Sequence, residues 1–578
     1  MKRTLLVLLF VAVLGLPLLA SEGGVDGTSH LQLVEATIND IQRALQTRLI
    51  TTEQLVQMYL HRIAAYDEGA PQLNSYLYWN ANQALAAARQ SDTERRHGNI
   101  KGPLFGIPVV LKDNVNTFDM PTTAGSVALT GSIPPDDAFI TRKLRAAGAI
   151  IIGKATLTEF ANFLTNGMPA GYSSLGGYGF NPFDPRPDPR EDTPFNDGRP
   201  ALSPGGSSSG PGIAVSANLA TVGIGTETSG SILSPGTQNL LVGIKPTVGL
   251  VSRDGIIPIT ADQDTAGPLA RTVTDAAILL SVIAGFDASD PATAACLMPG
   301  ECFSDYTQFL NPGALKGARI AVPYFSYWTD TSGTVNLSSS QQQVINDAIA
   351  VLRAQGAFVQ EHADIPTQPS LNAFGGCGTH GQQNCSTVLL YGFKRDLNAY
   401  LASLGRGAPV HTLADVIAYN HAHAPESIKY GQVLAIESDL FDIAPGSADT
   451  LRYQNDRAMD LALSRGGLDA IYNGPDGIPG TADDFDAILF AANRGANIAA
   501  RAGYPSIVVP AGFVENAPTP PFPDGFNAEP APYGVTFSGR AFSEPRLIGL
   551  AYAFEQATKH RRAPFSVPPL PTDNAGRP

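Results

Sequence analysis

The chain reads as an α/β fold with helices covering a central sheet, and three observations predict it. Hydrophobic residues make up 43% and charged residues 16% of 578 positions, a balance that fills a large core and excludes a disordered chain. Short apolar runs rich in Val and Ile alternate with segments of helical periodicity. No internal repeat breaks this alternation.

The elements follow in order. Thr51-Thr52-Glu53-Gln54 offers a capping box, and Leu55, Val56, Tyr59, Leu60 and Ile63 follow at helical spacing. Gly106 to Leu111 reads as a buried strand arriving at Lys112-Asp113-Asn114. Residues 136–148 are predicted helical and Ala149–Ile152 a strand. Ile213–Ala220 reads as a helix and Thr221–Ile224 as a buried strand. Arg319–Val322, Gln341–Arg353 and Phe358–Gln360 repeat the strand, helix, strand alternation. Residues 171–204, rich in Gly, Pro and Asp, predict a long surface loop, either a lid over the site or an unrelated insertion. Residues 473–486 predict a second loop; its carboxylates lack the spacing and closing Glu of an EF-hand, so it reads as a solvated acidic turn.

Formal net charge is -14, and beyond Arg561-Arg562 there is no basic run. Such a chain repels phosphate backbones, which excludes a nucleic-acid partner. Lys2 and Arg3 precede an apolar run from Leu5 to Leu19, followed by Ala20-Ser21-Glu22-Gly23-Gly24. This pattern predicts a signal peptide over residues 1–20, with an uncleaved anchor as the alternative. No later stretch is long and apolar enough to span a bilayer, so the protein is expected in the periplasm or secreted. Cys296, Cys302, Cys377 and Cys385 form two close pairs. Three connectivities are possible, of which the local one, Cys296 with Cys302 and Cys377 with Cys385, is the simplest, and an oxidising compartment favours disulfides. Zinc-knuckle spacing is narrower than either pair, and nothing in the sequence requires a metal or an organic cofactor.

The chemistry concentrates in Ser203-Pro204-Gly205-Gly206-Ser207-Ser208-Ser209-Gly210-Pro211-Gly212 and in Gly223-Ile224-Gly225-Thr226-Glu227-Thr228-Ser229-Gly230-Ser231-Ile232. Flexible linkers share this composition, but apolar segments follow each stretch closely. Small residues around hydroxyls let backbone approach a ligand. Amide hydrolysis uses a nucleophile, a base, a proton for the leaving nitrogen and donors for an oxyanion. No histidine lies in either stretch. Gly206-Ser207-Ser208-Ser209-Gly210 also matches a G-x-S-x-G elbow centred on Ser208, which would call on a distant His362, His411, His421 or His423.

Together with Gly106–Asp113, Gly243–Ser252, Asp264-Thr265-Ala266-Gly267-Pro268, Gly503–Ser506 and Ala551–Gln556, these stretches resemble the amidase signature family. The likeness spans roughly residues 35–565. Beyond the signal peptide at 1–20, it implies one large domain over 30–570: a mixed central β-sheet covered by helices on both faces. It implies a Ser–cis-Ser–Lys triad in which Ser231 attacks the amide carbonyl, Ser207 on a cis peptide relays the proton and Lys112 is the base. Backbone N–H groups of Thr228, Ser229, Gly230 and Ser231 would form the oxyanion hole. Ser208 would either bind substrate or cap the following helix, and Leu233 would line the pocket where many members carry Arg. The expected substrate is a small-molecule or peptide amide, with the stand-alone amidases that act on peptide amides as the nearest kind. The alternatives are a glutaminase subunit of an amidotransferase, or an inactive amide- or peptide-binding protein of the same fold.

Overall fold

The computed structural model describes residues 25–26, 30–330 and 332–576; the expected signal segment, residues 1–20, lies outside them. Eleven strands form one mixed sheet: β1 (Tyr76–Trp79), β2 (Pro108–Lys112), β3 (Ile150–Ala155), β4 (Val222–Glu227), β5 (Val242–Lys245), β6 (Thr265–Ala270), β7 (Arg319–Val322), β8 (Phe358–Glu361), β9 (Ala487–Ala491), β10 (Ser506–Val514) and β11 (Ala531–Ser538). Their order in space is β8-β7-β9-β11-β10-β5-β6-β4-β2-β3-β1. β2 runs parallel to β3 and β4, and β7 runs parallel to β8 and β9. The other neighbours are antiparallel.

Every residue of β2, β3, β4 and β6 is buried. That explains why these strands are continuous apolar runs rather than alternating ones: both faces of the sheet are covered. The helix Val273–Ile283 packs on β6 and is apolar nearly all round, with Val273, Ala276, Ala277, Leu279, Leu280 and Ile283 buried. The predicted first helix is Thr52–Arg62, and its cap is the reciprocal one read from the sequence, with Thr51 and Gln54 each bonding the other's backbone N–H. A second apolar cluster gathers Phe160, Leu164, Phe393, Leu397, Leu413 and Val416 under the helices Val388–Ser403 and Leu413–Ala422.

One helix begins earlier than its apolar pattern. It spans Ser209–Ser216, not 213–220. Gly210 permits this, because a Cβ there would lie 2.4 Å from the backbone N and O of Thr156. The helix start is thereby pressed directly against the end of β3. The loop 171–204 is irregular apart from a short ribbon, Tyr172–Ser173 with Gly177–Tyr178. It is fastened on two sides. Lys429 Nζ donates to Asp197 O at 3.0 Å and the Tyr430 hydroxyl donates to the Asp197 carboxylate. On the other side, Arg186 donates to Asn527 O at 2.8 Å and Arg190 to Pro520 O at 2.7 Å. Cys296 and Cys302 stand with Cα atoms 4.8 Å apart, and Cys377 and Cys385 5.0 Å apart, distances a disulfide spans.

Arg62 joins the C-terminal segment to the core. Arg62 is fully buried; its guanidinium meets Asp573 at 2.5 Å and donates to the carbonyls of Ala217, Asn218, Val567 and Pro568. Arg62→Met leaves the Asp573 carboxylate buried without a cation and is expected to cost about 3–5 kcal/mol. The measurement is amide exchange over residues 567–576 together with the melting temperature. Wild-type protection in that segment would show that the pair does not hold it.

Candidate active site

β2 and β4 are parallel neighbours, with Val109, Val110 and Leu111 opposite Val222, Gly223 and Ile224. Their carboxyl ends therefore bring Lys112 and Thr226 side by side, the end of an open α/β sheet where ligands bind. Lys112 is fully buried. Its Nζ lies 2.8 Å from Ser207 Oγ, 2.9 Å from Thr226 Oγ1 and 3.3 Å from Thr226 O. Asn114 Nδ2 donates to Thr226 Oγ1 at 3.0 Å and so orients that hydroxyl.

Among the described residues, no carboxylate touches the Lys112 amine. One strand away, Lys154 is equally buried but meets Asp113 at 3.0 Å. Burial strips water from Lys112 and pushes its pKa down to about 7, against a weaker upward pull from Asp264 and Glu227. The result is a lysine that is substantially neutral near pH 7.

Ser207 is fully buried and follows a cis peptide bond from Gly206. Its carbonyl accepts from Thr158 N at 3.0 Å, which anchors it to the chain leaving β3. Ser208, expected either at the substrate or as a helix cap, does neither. It is fully buried, and its hydroxyl donates to Thr226 O at 3.0 Å and accepts from Thr226 N at 3.1 Å. Its own N–H donates to Ser231 O at 3.2 Å. Ser208 is a brace that joins the two serine loops. The elbow reading fails with it: His362 stacks on Tyr324 and His423 on Tyr419, His411 and His421 are exposed, and none of the four bonds Ser208.

Ser231 is 8% exposed, and its hydroxyl has no partner among the described residues. It closes a loop whose shape is set by Glu227. The Glu227 carboxylate accepts from Ile232 N at 2.7 Å and Leu233 N at 3.0 Å, so it spans residues 228–231. Within that span the N–H groups of Thr228, Ser229, Gly230 and Ser231 have no acceptor among the described residues. Free backbone donors held in one turn beside a serine hydroxyl make a binding place for an anionic oxygen. Gly230 has φ +92°, and a Cβ would sit 3.3 Å from Asn493 Nδ2, so the turn requires glycine.

Leu233, expected in the pocket, is fully buried against Ala496 and Val508. Leu233 opens the helix Leu233–Gln238, and its backbone is held by Glu227, which turns the side chain into the core.

A cavity of about 390 Å³ opens beside the loop, within the range of ligand sites. Asn114, Thr226, Glu227 and Thr228 form one side of it, and Ala161, Ile257, Ile259, Ala399 and Tyr400 give it apolar walls. Asp254, Asp264, Asp290, Asp396 and Glu227 line it against a single cation, Arg253, which is itself paired with Asp290 at 2.5 Å. Asn114, Thr226, Glu227 and Asp264 carry no role in the sequence reading, although all four stand within or beside the motifs that drew attention.

A family profile described as Amidase matches residues 54–376. The chain is 38% identical over 544 residues to a probable amidase of Arabidopsis thaliana, with 93% of each chain covered. It is 30% identical over 551 residues to a glutamyl-tRNA(Gln) amidotransferase subunit of Microcystis aeruginosa, covering 91% of this chain and 99% of that one. Among solved structures it is similar to the native peptide amidase of Stenotrophomonas maltophilia, at 38% identity and a TM-score of 0.75, with 91% of this chain and 98% of that chain covered. An amidase family protein of Bacillus anthracis is similar at 32% identity and a TM-score of 0.76, with 92% of each covered. With its mixed sheet, this chain belongs to the amidase family and is a hydrolase of carbon–nitrogen amide bonds.

Proposed function

We propose that the chain hydrolyses a carboxamide to a carboxylate and ammonia through an acyl-enzyme on Ser231. The observation that carries this reading is the Lys112 amine, buried, free of carboxylates and 2.8 Å from Ser207 Oγ. Neutral Lys112 has one lone pair and two N–H groups. The N–H groups donate to Thr226 Oγ1 and Thr226 O, and the lone pair accepts from the Ser207 hydroxyl. As Ser231 Oγ bonds the carbonyl carbon, its proton passes to Ser207 Oγ and the Ser207 proton to Lys112. The carbonyl electrons move to oxygen, opposite the free N–H groups of residues 228–231. On collapse, the proton returns through Ser207 to the leaving nitrogen, and ammonia departs. Water then attacks the ester by the same relay, releasing the carboxylate and restoring Ser231.

Ser231→Ala is expected to abolish turnover. Lys112→Ala is expected to lower kcat by about 10³-fold or more, because the relay loses its proton sink. Activity requires the unprotonated amine, so kcat/KM is expected to rise with pH through about 7. Near-normal kinetics for Lys112→Ala, or a flat profile from pH 5 to 8, would remove the triad.

The acyl part is neutral, in the manner of a peptide carrying a C-terminal amide. The cavity supports this, since its lining cation, Arg253, is already paired with Asp290, so an anionic acyl group entering it would find no free partner. Leu233 does not bear on substrate charge, because its side chain lies in the core. The test is kcat/KM for peptide amides against free glutamine and malonamic acid. A preference for these two carboxylate-bearing substrates, zwitterionic glutamine and anionic malonamic acid, overturns this assignment and favours a glutaminase-like role.

Lys2, Arg3 and the apolar run to Leu19 support export of the protein, and an oxidising destination makes disulfides of its two cysteine pairs. Sequencing of protein from its native host is expected to begin after about residue 20, with peptide mapping giving Cys296–Cys302 and Cys377–Cys385. A start at Met1 with four free thiols would contradict both.

A further inference from the structure

We propose that Gln263 and Asp264 are positioning residues for the oxyanion-binding loop, acting through Thr228; this rests on the reading of Ser231 and residues 228–231 given above. A donor stabilises a developing oxyanion only if it is aimed before the charge appears, because reorientation during the reaction consumes the gain. The far end of the loop is held by Glu227. Its near end is Thr228, and both polar groups of that residue other than the N–H are held. The Thr228 hydroxyl donates to Asp264 Oδ1 at 2.5 Å, and the Thr228 carbonyl accepts from Gln263 Nε2 at 3.2 Å. Asp264 is itself immobilised, since its Oδ2 accepts from Ile259 N at 2.8 Å and Thr260 N at 3.0 Å. Gln263 is buried.

The consequence follows from peptide geometry. In a trans peptide the carbonyl and the next N–H lie in one plane and point in opposite directions. Gln263, by holding the Thr228 carbonyl, therefore aims the Ser229 N–H to the other side. The same device recurs one peptide pair later: Ser234 N donates to Gly230 O at 2.7 Å, which aims the Ser231 N–H. Glycine at 230 leaves the intervening backbone free to turn between these two planes, and the Thr228 side chain clamps the first of them. Gln263 and Asp264 lead into β6, whose register with β4 places Thr265 opposite Glu227. The two residues thus sit level with the start of the loop they hold.

Thr228→Val removes the hydroxyl at nearly constant volume, and Gln263→Leu removes the donor to the carbonyl. Each is expected to lower kcat about tenfold or more with KM within about threefold of wild type. Inhibition by a peptide aldehyde, whose adduct on Ser231 carries an oxyanion, is expected to weaken in parallel with kcat. Thr228→Ser is expected to restore both. A merely structural role would lower the melting temperature and leave kcat and the aldehyde affinity of the folded enzyme unchanged. Wild-type kcat in Thr228→Val and Gln263→Leu, or a Thr228→Ser variant as impaired as Thr228→Val, would overturn the proposal. Ser231→Ala separates the two levels: dead Ser231→Ala beside wild-type Thr228→Val rejects the positioning alone, whereas active Ser231→Ala rejects the site as well.

Discussion

Lys112 is a cation-forming group buried where, among the described residues, no anion touches it, and the rest of the site is arranged around that constraint. An ammonium loses its hydration on burial and recovers little from two hydroxyls and a carbonyl, so the neutral amine is favoured. Lys154 shows what the same fold does when charge is wanted: one strand away, Asp113 sits against its amine. The difference is one of placement within β2 and β3. Asp113 directly follows Lys112 in sequence, yet its carboxylate is given to the neighbouring strand's lysine and to Thr123.

Carboxylates are nevertheless close by, and their distance matters. Glu227 and Asp264 bind backbone and hydroxyl donors, not lysine. They shape the 228–231 loop while exerting only a residual Coulombic pull on Lys112. The site thus separates two tasks that a single acidic partner would confuse. Neutral groups surround the base, and acidic groups hold the donors. Ser208 links the halves, since its hydroxyl and N–H join Thr226 to Ser231.

Much of this was legible in the chain. The strand ending at Lys112, the cap at Thr51 and the alternation through Arg319–Glu361 all follow from patterns that span a few residues. Ser207 and Ser231 stand out because glycines crowd them. Ser208 and Leu233 were not legible, because their motif neighbours suggest exposure to a ligand whereas their side chains turn inward. That turn depends on Thr226 for Ser208, and on Ala496 and Val508 for Leu233. The helix at Ser209 started early for a similar reason, since the backbone of Thr156 meets Gly210 across the fold.

The α/β alternation, the two glycine-rich serine loops, the lysine at a strand end and the closeness of the cysteines within each pair are written in the chain. These rest on local propensity, periodicity and composition, which act over short stretches. Tertiary contacts settle that, among the described residues, Lys112 meets no anion and four N–H groups have no acceptor, and that Gln263 and Asp264 meet Thr228. Those facts arise from strands that are distant in the chain but adjacent in the sheet, and hydrogen-bond partners across such gaps leave no periodic trace in sequence.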